Sequence, residues 1–154
     1  MTIRPPATAA DTLRLITMDL GKLTLGCRIE TVYKVVKQSQ IHSSGLGHTG
    51  LTHIDAHTVM VVDLHHKLFN VPTPDKQGYL VIIKPQTADL VAIPVATSPN
   101  LMDVHREHVR VLPEAYRQSD TLSIASHVAV VSHGNKPLTV FVIDENALSY
   151  KSQS

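Results

Sequence analysis

Histidine and aspartate crowd one stretch of this chain. Residues 50–69 read GLTHIDAHTVMVVDLHHKLF, and five of the ten histidines, His48, His53, His57, His65 and His66, lie in it or just before it. His53, Asp55 and His57 alternate, so an extended chain would point all three to one face, with Asp63 and His65 nearby. Imidazole and carboxylate groups are the usual ligands of zinc and related divalent ions. A metal held there would acidify a bound water and support hydrolysis. His53, Asp55 and His57 are therefore the candidate metal ligands. The spacing, however, matches no closed structural zinc pattern, and Asp63 has a capping task of its own. The competing reading is a set of surface histidines on a binding module.

Other catalytic signals are poor. Cys27 sits in an apolar strand context and reads as a small, inert core residue. The serines lie in loops without a G-x-S-x-G elbow. Neither phosphate-binding glycine motif is present, and Gly45-Leu46-Gly47-His48 is too short to count as one.

The elements that would position these residues read mostly as strands. Thr58–Val62 is too apolar and too β-branched to be anything but a buried strand, and Asp63 can cap the short helical turn Leu64–Leu68 that follows. Residues 1–10, with Pro5-Pro6, read as a flexible tail, and 151–154 as a second one. From Leu13 the chain alternates, and Asp19–Lys22 supplies turn chemistry for a hairpin into Leu23–Cys27. Apolar residues at 29, 32, 35 and 36 have helical spacing, so Ile29–Val36 is expected to form about two helical turns. Residues 37–50 read as a long polar loop. Tyr79–Lys84 and Leu90–Val95 flank a turn and read as a hairpin. Thr97–Asp103 reads as irregular, followed by an extended segment through Val104, Val109 and Val111 that ends at Pro113. Ser119–Ser123 is a polar loop. His127–Ser132 and Leu138–Ile143 read as strands around a turn, with Asp144 capping a closing helix Glu145–Tyr150. Many short strands and few helices indicate barrel or sandwich packing.

The sequence also echoes itself. Thr58-Val59-Met60-Val61-Val62-Asp63 and Thr139-Val140-Phe141-Val142-Ile143-Asp144 share the same pattern, each followed by a short segment that buries a leucine, Leu68 or Leu148. Coincidence is one reading, since apolar strands followed by Asp are common; the favoured one is two similar half-domains sharing one chain, each too small to be stable alone.

Totals bound the class. At 154 residues the chain suits one compact domain. A formal net charge of +1, scattered Lys and Arg, no Trp and only two Phe argue against a nucleic-acid reader. A single cysteine excludes an internal disulfide framework and fits a reducing compartment. No window approaches the roughly 18 apolar residues of a membrane span, and no signal peptide is evident. The expectation is a soluble, cytoplasmic domain over 11–150, without direct membrane insertion.

The series Ile29-x-x-Val32-x-x-Val35, Gly50-x-x-x-Ile54 and Val59-x-Val61-Val62-Asp63-Leu64, with the C-terminal strand, turn, strand and Asp144, resembles the CheW-like domain of bacterial chemosensory systems. The resemblance runs from about Leu13 to Leu148. It implies a mainly β fold of two intertwined five-stranded, SH3-like β-barrel subdomains with short helices. It implies a non-enzymatic adaptor, with no cofactor, that couples the cytoplasmic signalling tip of chemoreceptors to the regulatory domain of a CheA-type histidine kinase. Localisation would be the cytoplasm, at membrane-associated receptor arrays.

Departures from the family are informative. Where members carry Asn-Leu-Arg-Gly this chain has His53-Ile54-Asp55-Ala56, and where they carry glutamate it has Lys34. Both charges are inverted, so Lys34 and Asp55 are expected to face each other as an ion pair of swapped polarity, with consequences for partner choice. Drift of two unrelated surface residues is the alternative. Ala56 in place of glycine suggests a gentler turn. The expected partner-binding residues are Val32, Lys34, Gly50, His53, Asp55 and His57, with Val32 on a helical face and Gly50 at a position needing positive φ or close approach. The histidines would make binding pH-sensitive. The alternative function is a metal-binding β-barrel protein with hydrolase activity.

Overall fold

Alternating apolar residues at the start of the chain pair as expected. In the computed structural model β1 (Thr12–Leu20) and β2 (Leu23–Arg28) form an antiparallel hairpin. Gly21 turns it with a φ of 61°, and a Cβ there would also meet the Phe69 ring at 3.1 Å. The structure describes residues 11–37, 42–46, 49–73, 78–86, 89–117 and 123–148, with backbone only for 42–46 and Thr49. The two expected tails, His48, Tyr150 and most of the Ser119–Ser123 loop lie outside the described residues.

The first correction follows β2. Ile29–Val36 is not a helix: one 3₁₀ turn, Ile29–Thr31, leads into strand β3 (Val32–Lys37). Thr31, Val32, Val35 and Val36 are β-branched and lose side-chain freedom in a helix, while β3 gains a full ladder against β7 (Tyr79–Ile83). Tertiary pairing overrides the apparent spacing. The second correction concerns residues 37–50, which contain β4 (His42–Leu46) and the start of β5 (Thr49–Ile54). Backbone pairing needs no apolar side chains at a sheet edge, so a polar strand reads as a loop. Likewise the segment expected to be irregular contains β9 (Asn100–His105).

The remaining elements are β6 (His57–Val62), α1 (Leu64–Phe69), β8 (Val91–Val95), β10 (Val109–Val111), α2 (Glu114–Arg117), β11 (Ala125–His133), β12 (Lys136–Ile143) and a closing 3₁₀ turn, Glu145–Leu148. Asp63 caps α1 as expected: its Oδ1 accepts from the backbone N–H of His66 at 3.1 Å and from the Thr73 hydroxyl at 2.6 Å. Asp144 caps the closing turn through the backbone N–H of Asn146 at 3.1 Å.

Two six-stranded sheets result, in the orders β10-β11-β12-β2-β1-β9 and β4-β5-β6-β8-β7-β3. Read in parallel, the orders correspond strand for strand. In each, the repeated Thr-Val-x-Val strand, β12 or β6, lies parallel to the second strand of a hairpin, β2 or β8. The second unit is continuous from β3 to β8. The first is split, its β1–β2 hairpin coming from the start of the chain and its other strands from the end. The echo in the sequence is therefore a real duplication of structure.

Each sheet is covered on both faces. Leu13, Leu15, Val104, Ala129, Val140 and Val142 fill the interior of the split unit, and Val59, Val61, Leu80, Ile82, Leu90 and Ala92 that of the continuous one. The opposite faces meet in a third cluster drawn from both, including Met18, Leu25, Cys27, Leu64, Val81, Ile93, Ile143 and Leu148. That is why β7 and β8 read as unbroken apolar runs rather than alternating ones. Cys27, fully enclosed, has its thiol pushed up to about 12 by burial and then by the nearby Glu145 charge, so it stays protonated.

One ion pair joins the two ends of the chain. Arg28, at the end of β2, donates from Nη2 to Glu145 Oε1 at 2.6 Å, and the Glu145 side chain is only 7% exposed. Removing one partner of such a pair strands a buried charge, whereas replacing both with apolar residues is often neutral. Arg28→Met should therefore destabilise the fold by about 2 kcal/mol, below the full buried-pair penalty because Arg28 is 38% exposed. Arg28→Met combined with Glu145→Leu should recover most of that loss in urea unfolding; a double variant weaker than either single would contradict this account.

Candidate partner-binding site

The β5–β6 hairpin carries the residues singled out in the sequence, but not in the arrangement expected. Ile54 pairs with His57, and the two residues between them, Asp55 and Ala56, both have left-handed backbone, with φ of 50° and 65°. That is the type I′ turn that suits the twist of a hairpin. Asp55 thus sits at the tip rather than on a strand. His53 pairs with Thr58 and His57 with Ile54, so the two histidines lie on opposite faces of the hairpin. The single metal-binding face of His53, Asp55 and His57 does not exist. Among the described residues no group of three or more His, Cys, Asp or Glu is placed to hold a metal.

Ala56 does not give the gentler turn expected of it. It holds the left-handed conformation that glycine adopts without strain, in a protein with only one other such non-glycine site outside this turn, Asn70, among the described residues.

Lys34 and Asp55 do face each other. Lys34 Nζ lies 2.5 Å from Asp55 Oδ2, and the Tyr33 hydroxyl donates to the same oxygen at 3.1 Å. The His57 ring stands edge-on to Tyr33 at 6.1 Å between centroids, and Lys34 Nζ lies 5.9 Å from the Tyr33 ring centre. A β-bulge creates this geometry. Val32 pairs with Ile83 but Lys34 with Ile82, which leaves Tyr33 as the extra residue. The bulge lets Val32 pack on the central cluster while Val36, further along, packs on the interior of its own unit. It also aims two successive side chains at one carboxylate. β3 is the last strand of its sheet and has no ladder to β5 or β6, so these contacts bridge the seam between the sheet edge and the hairpin tip.

The three groups shift one another. The Lys34 bond, then the Tyr33 bond, hold the Asp55 carboxyl below its usual range. The Asp55 bond in turn raises both the Lys34 amine and the Tyr33 phenol. With Asp55 lowered, the stabilisation from the pair is present above the unfolded carboxylate range and is lost as pH falls through the folded value. With Lys34 raised, it persists through neutral pH and is lost as pH rises through the folded lysine value. Lys34 and Asp55 are 37% and 49% exposed, so water screens both and their contribution to stability is small.

Two of the other expected contact residues, Val32 and Gly50, lie at least partly buried within strands. Val32 is half-buried against the central cluster. Gly50 is a buried residue inside β5, between Ser43 and Val61, and its φ is not positive. His53 is exposed, its Nδ1 3.5 Å from the Thr58 hydroxyl, at the limit of a hydrogen bond. The helical reading of 29–36 hid Tyr33, which a strand reading would have placed next to Lys34 at a sheet edge. β3 also exposes Val35, and the turn before it exposes Ile29.

Comparison with known proteins bears on the fold. No protein-family model matches the sequence, and no curated protein matches it. Among solved structures, the scaffolding protein CheW of Thermoanaerobacter tengcongensis superposes with a TM-score of 0.71, over 97% of this chain and 92% of that one, at 13% sequence identity. The chain has a CheW-like fold: mainly β, built of two SH3-like units that share a core.

The strained turn gives a direct check. Ala56→Gly should stabilise the protein by about 1 kcal/mol, since the left-handed conformation costs an L-residue that much. Ala56→Val should do the reverse. Urea midpoints measure both, and a glycine variant no more stable than the parent would show that the turn is not strained.

Proposed function

We propose that this protein is a non-enzymatic adaptor that couples the cytoplasmic signalling tips of chemoreceptors to the regulatory domain of a CheA-type histidine kinase. The observation that carries this reading is the match of nearly the whole chain to a protein described as a CheW scaffold. The chemistry of the surface supports it. Asp55, Lys34 and Tyr33 neutralise one another instead of leaving a poised acid, base or nucleophile. Cys27 is enclosed and protonated. A fixed pattern of charge beside exposed Tyr33 and Val35 suits recognition of another protein. Partner contacts would centre on β3 and the β5–β6 hairpin, with Lys34, Asp55, His53 and His57 at the rim. Among the described residues no helix is long and apolar enough to cross a membrane, and the adaptor would reach the membrane only through receptor arrays in the cytoplasm.

The inverted ion pair would serve partner choice, since surface charge acts on specificity more than on stability. In a titration with the regulatory domain of a CheA-type kinase, the parent protein should bind and confer receptor-dependent kinase activation. Lys34→Glu and Asp55→Arg should each weaken binding about tenfold, and the double variant, which re-forms the pair with reversed polarity, should recover the stability of the parent but not its binding. Binding of the double variant at the parent level would remove the polarity of the pair from recognition. Absence of binding to any kinase domain, with a second adaptor binding as control, would remove the adaptor reading itself.

A further inference from the structure

The stretch from Ile29 to Val36 divides its apolar side chains between the fold and the surface. Val32 packs on the central cluster and Val36 on the interior of the continuous unit. Ile29, Tyr33 and Val35 belong to none of the three clusters and are 37%, 39% and 37% exposed. Tyr33 differs from the other two in being tied down. Its hydroxyl donates to Asp55 Oδ2 at 3.1 Å, the His57 ring stands edge-on to it at 6.1 Å, and Lys34 Nζ lies 5.9 Å from its ring centre. Groups from two elements, β3 and the tip of the β5–β6 hairpin, thus hold one exposed ring.

Ordering an exposed side chain costs conformational freedom and buries little apolar surface in return. Backbone strain lies at the same place: Asp55 and Ala56 are two of the three non-glycine residues with left-handed backbone among the described residues. Strain of this kind concentrates where a surface binds. Tyrosine suits such a place, since it offers a large contact area on two rotatable bonds and is enriched among residues that carry binding energy. A ring already held loses less freedom on docking. The bulge that makes Tyr33 the extra residue also disfavours pairing of the open β3 edge with an incoming strand. A partner therefore meets side chains there rather than backbone.

Charge indicates the chemistry of that partner. Lys34 and Asp55 cancel each other. Glu30, at one end of the stretch, lies 3.7 Å from Arg28. Lys37, exposed at the other end, has no carboxylate partner among the described residues. The exposed apolar row is bordered there by one uncompensated positive charge.

We propose that Tyr33 is the anchor of this surface, received by an apolar pocket of a partner protein whose rim presents acidic side chains to Lys37. The inference rests on the adaptor reading and adds to it the residue that carries the affinity and the sign of the surface it meets.

The test measures binding of the intact protein to the regulatory domain of a CheA-type kinase, by calorimetry and by stopped-flow association. Tyr33→Ala should weaken binding about twentyfold, and Tyr33→Phe, which keeps the ring and loses its tether, about threefold. Tyr116→Ala, at a tyrosine of α2 that is 57% exposed, should stay within about twofold of the parent. Lys37→Glu should slow association about fivefold at low ionic strength and match the parent at about 0.5 M salt. Should Tyr33→Ala fail to fold, Tyr33→Phe and Lys37→Glu decide by the same criterion. Parental affinity in the Tyr33 variants, an equal loss in Tyr116→Ala, or a parental association rate in Lys37→Glu would overturn the inference and leave the adaptor reading standing. A parent that does not bind the kinase domain would overturn both. Self-association of the parent that Tyr33→Ala abolishes would assign the anchor to a second copy and overturn the inference as well.

Discussion

The rest of this structure depends on a cluster of apolar side chains that neither unit owns. Each sheet buries apolar residues inside its own barrel and, from its opposite face, others against its neighbour. Met18, Leu25 and Ile143 come from one unit, and Val81, Ile93 and Leu64 from the other. Separating the units would expose the whole of that cluster to water, and the burial of apolar surface is what chiefly drives folding. The route of the chain strengthens the dependence. Because β1 and β2 complete a unit whose other strands come last in sequence, the continuous unit lies in sequence between two parts that pair directly with each other. The parallel pairing of β2 with β12, and the Arg28–Glu145 bond at its end, close that loop.

Much of this was legible in the residues. Buried strands announced themselves as β-branched runs, hairpins by their turn residues, and the duplication by the repeated Thr-Val-x-Val pattern with its closing aspartate. What was not legible depended on partners far away in sequence. Ile29–Val36 has helical spacing because a bulge at Tyr33 breaks the alternation that would betray a strand. The bulge exists only where β3 meets β7, so nothing local reports it. β4 is polar because an edge strand needs backbone pairing and not an apolar face.

The candidate site divides along the same line. The opposition of Lys34 and Asp55 was visible as a double inversion of charge, since two departures that compensate each other are best explained by contact. The metal face was an error of geometry: a two-residue turn places His53 and His57 on opposite faces, and the alternation that seemed to align them crosses the turn. Tyr33 was missed because its role rests on the bulge. The buried Glu145 looked like an ordinary helix-start residue, and only comparison with Leu64, which follows Asp63 as Glu145 follows Asp144, shows that a charge stands where the fold elsewhere places leucine.

These features give two neighbouring places on the chain different characters. The seam at Tyr33 and Lys34 is closed by exposed charges and an aromatic hydroxyl that a partner can recognise; Arg28, before it, holds the buried charge of Glu145. The proposed adaptor role places its partner at the first. Hydrogen–deuterium exchange with and without saturating kinase regulatory domain tests it at the level of segments. Added protection in β3 and across the β5–β6 hairpin is the predicted result. Protection confined to β10 and α2, with β3 and the hairpin unchanged, would contradict it.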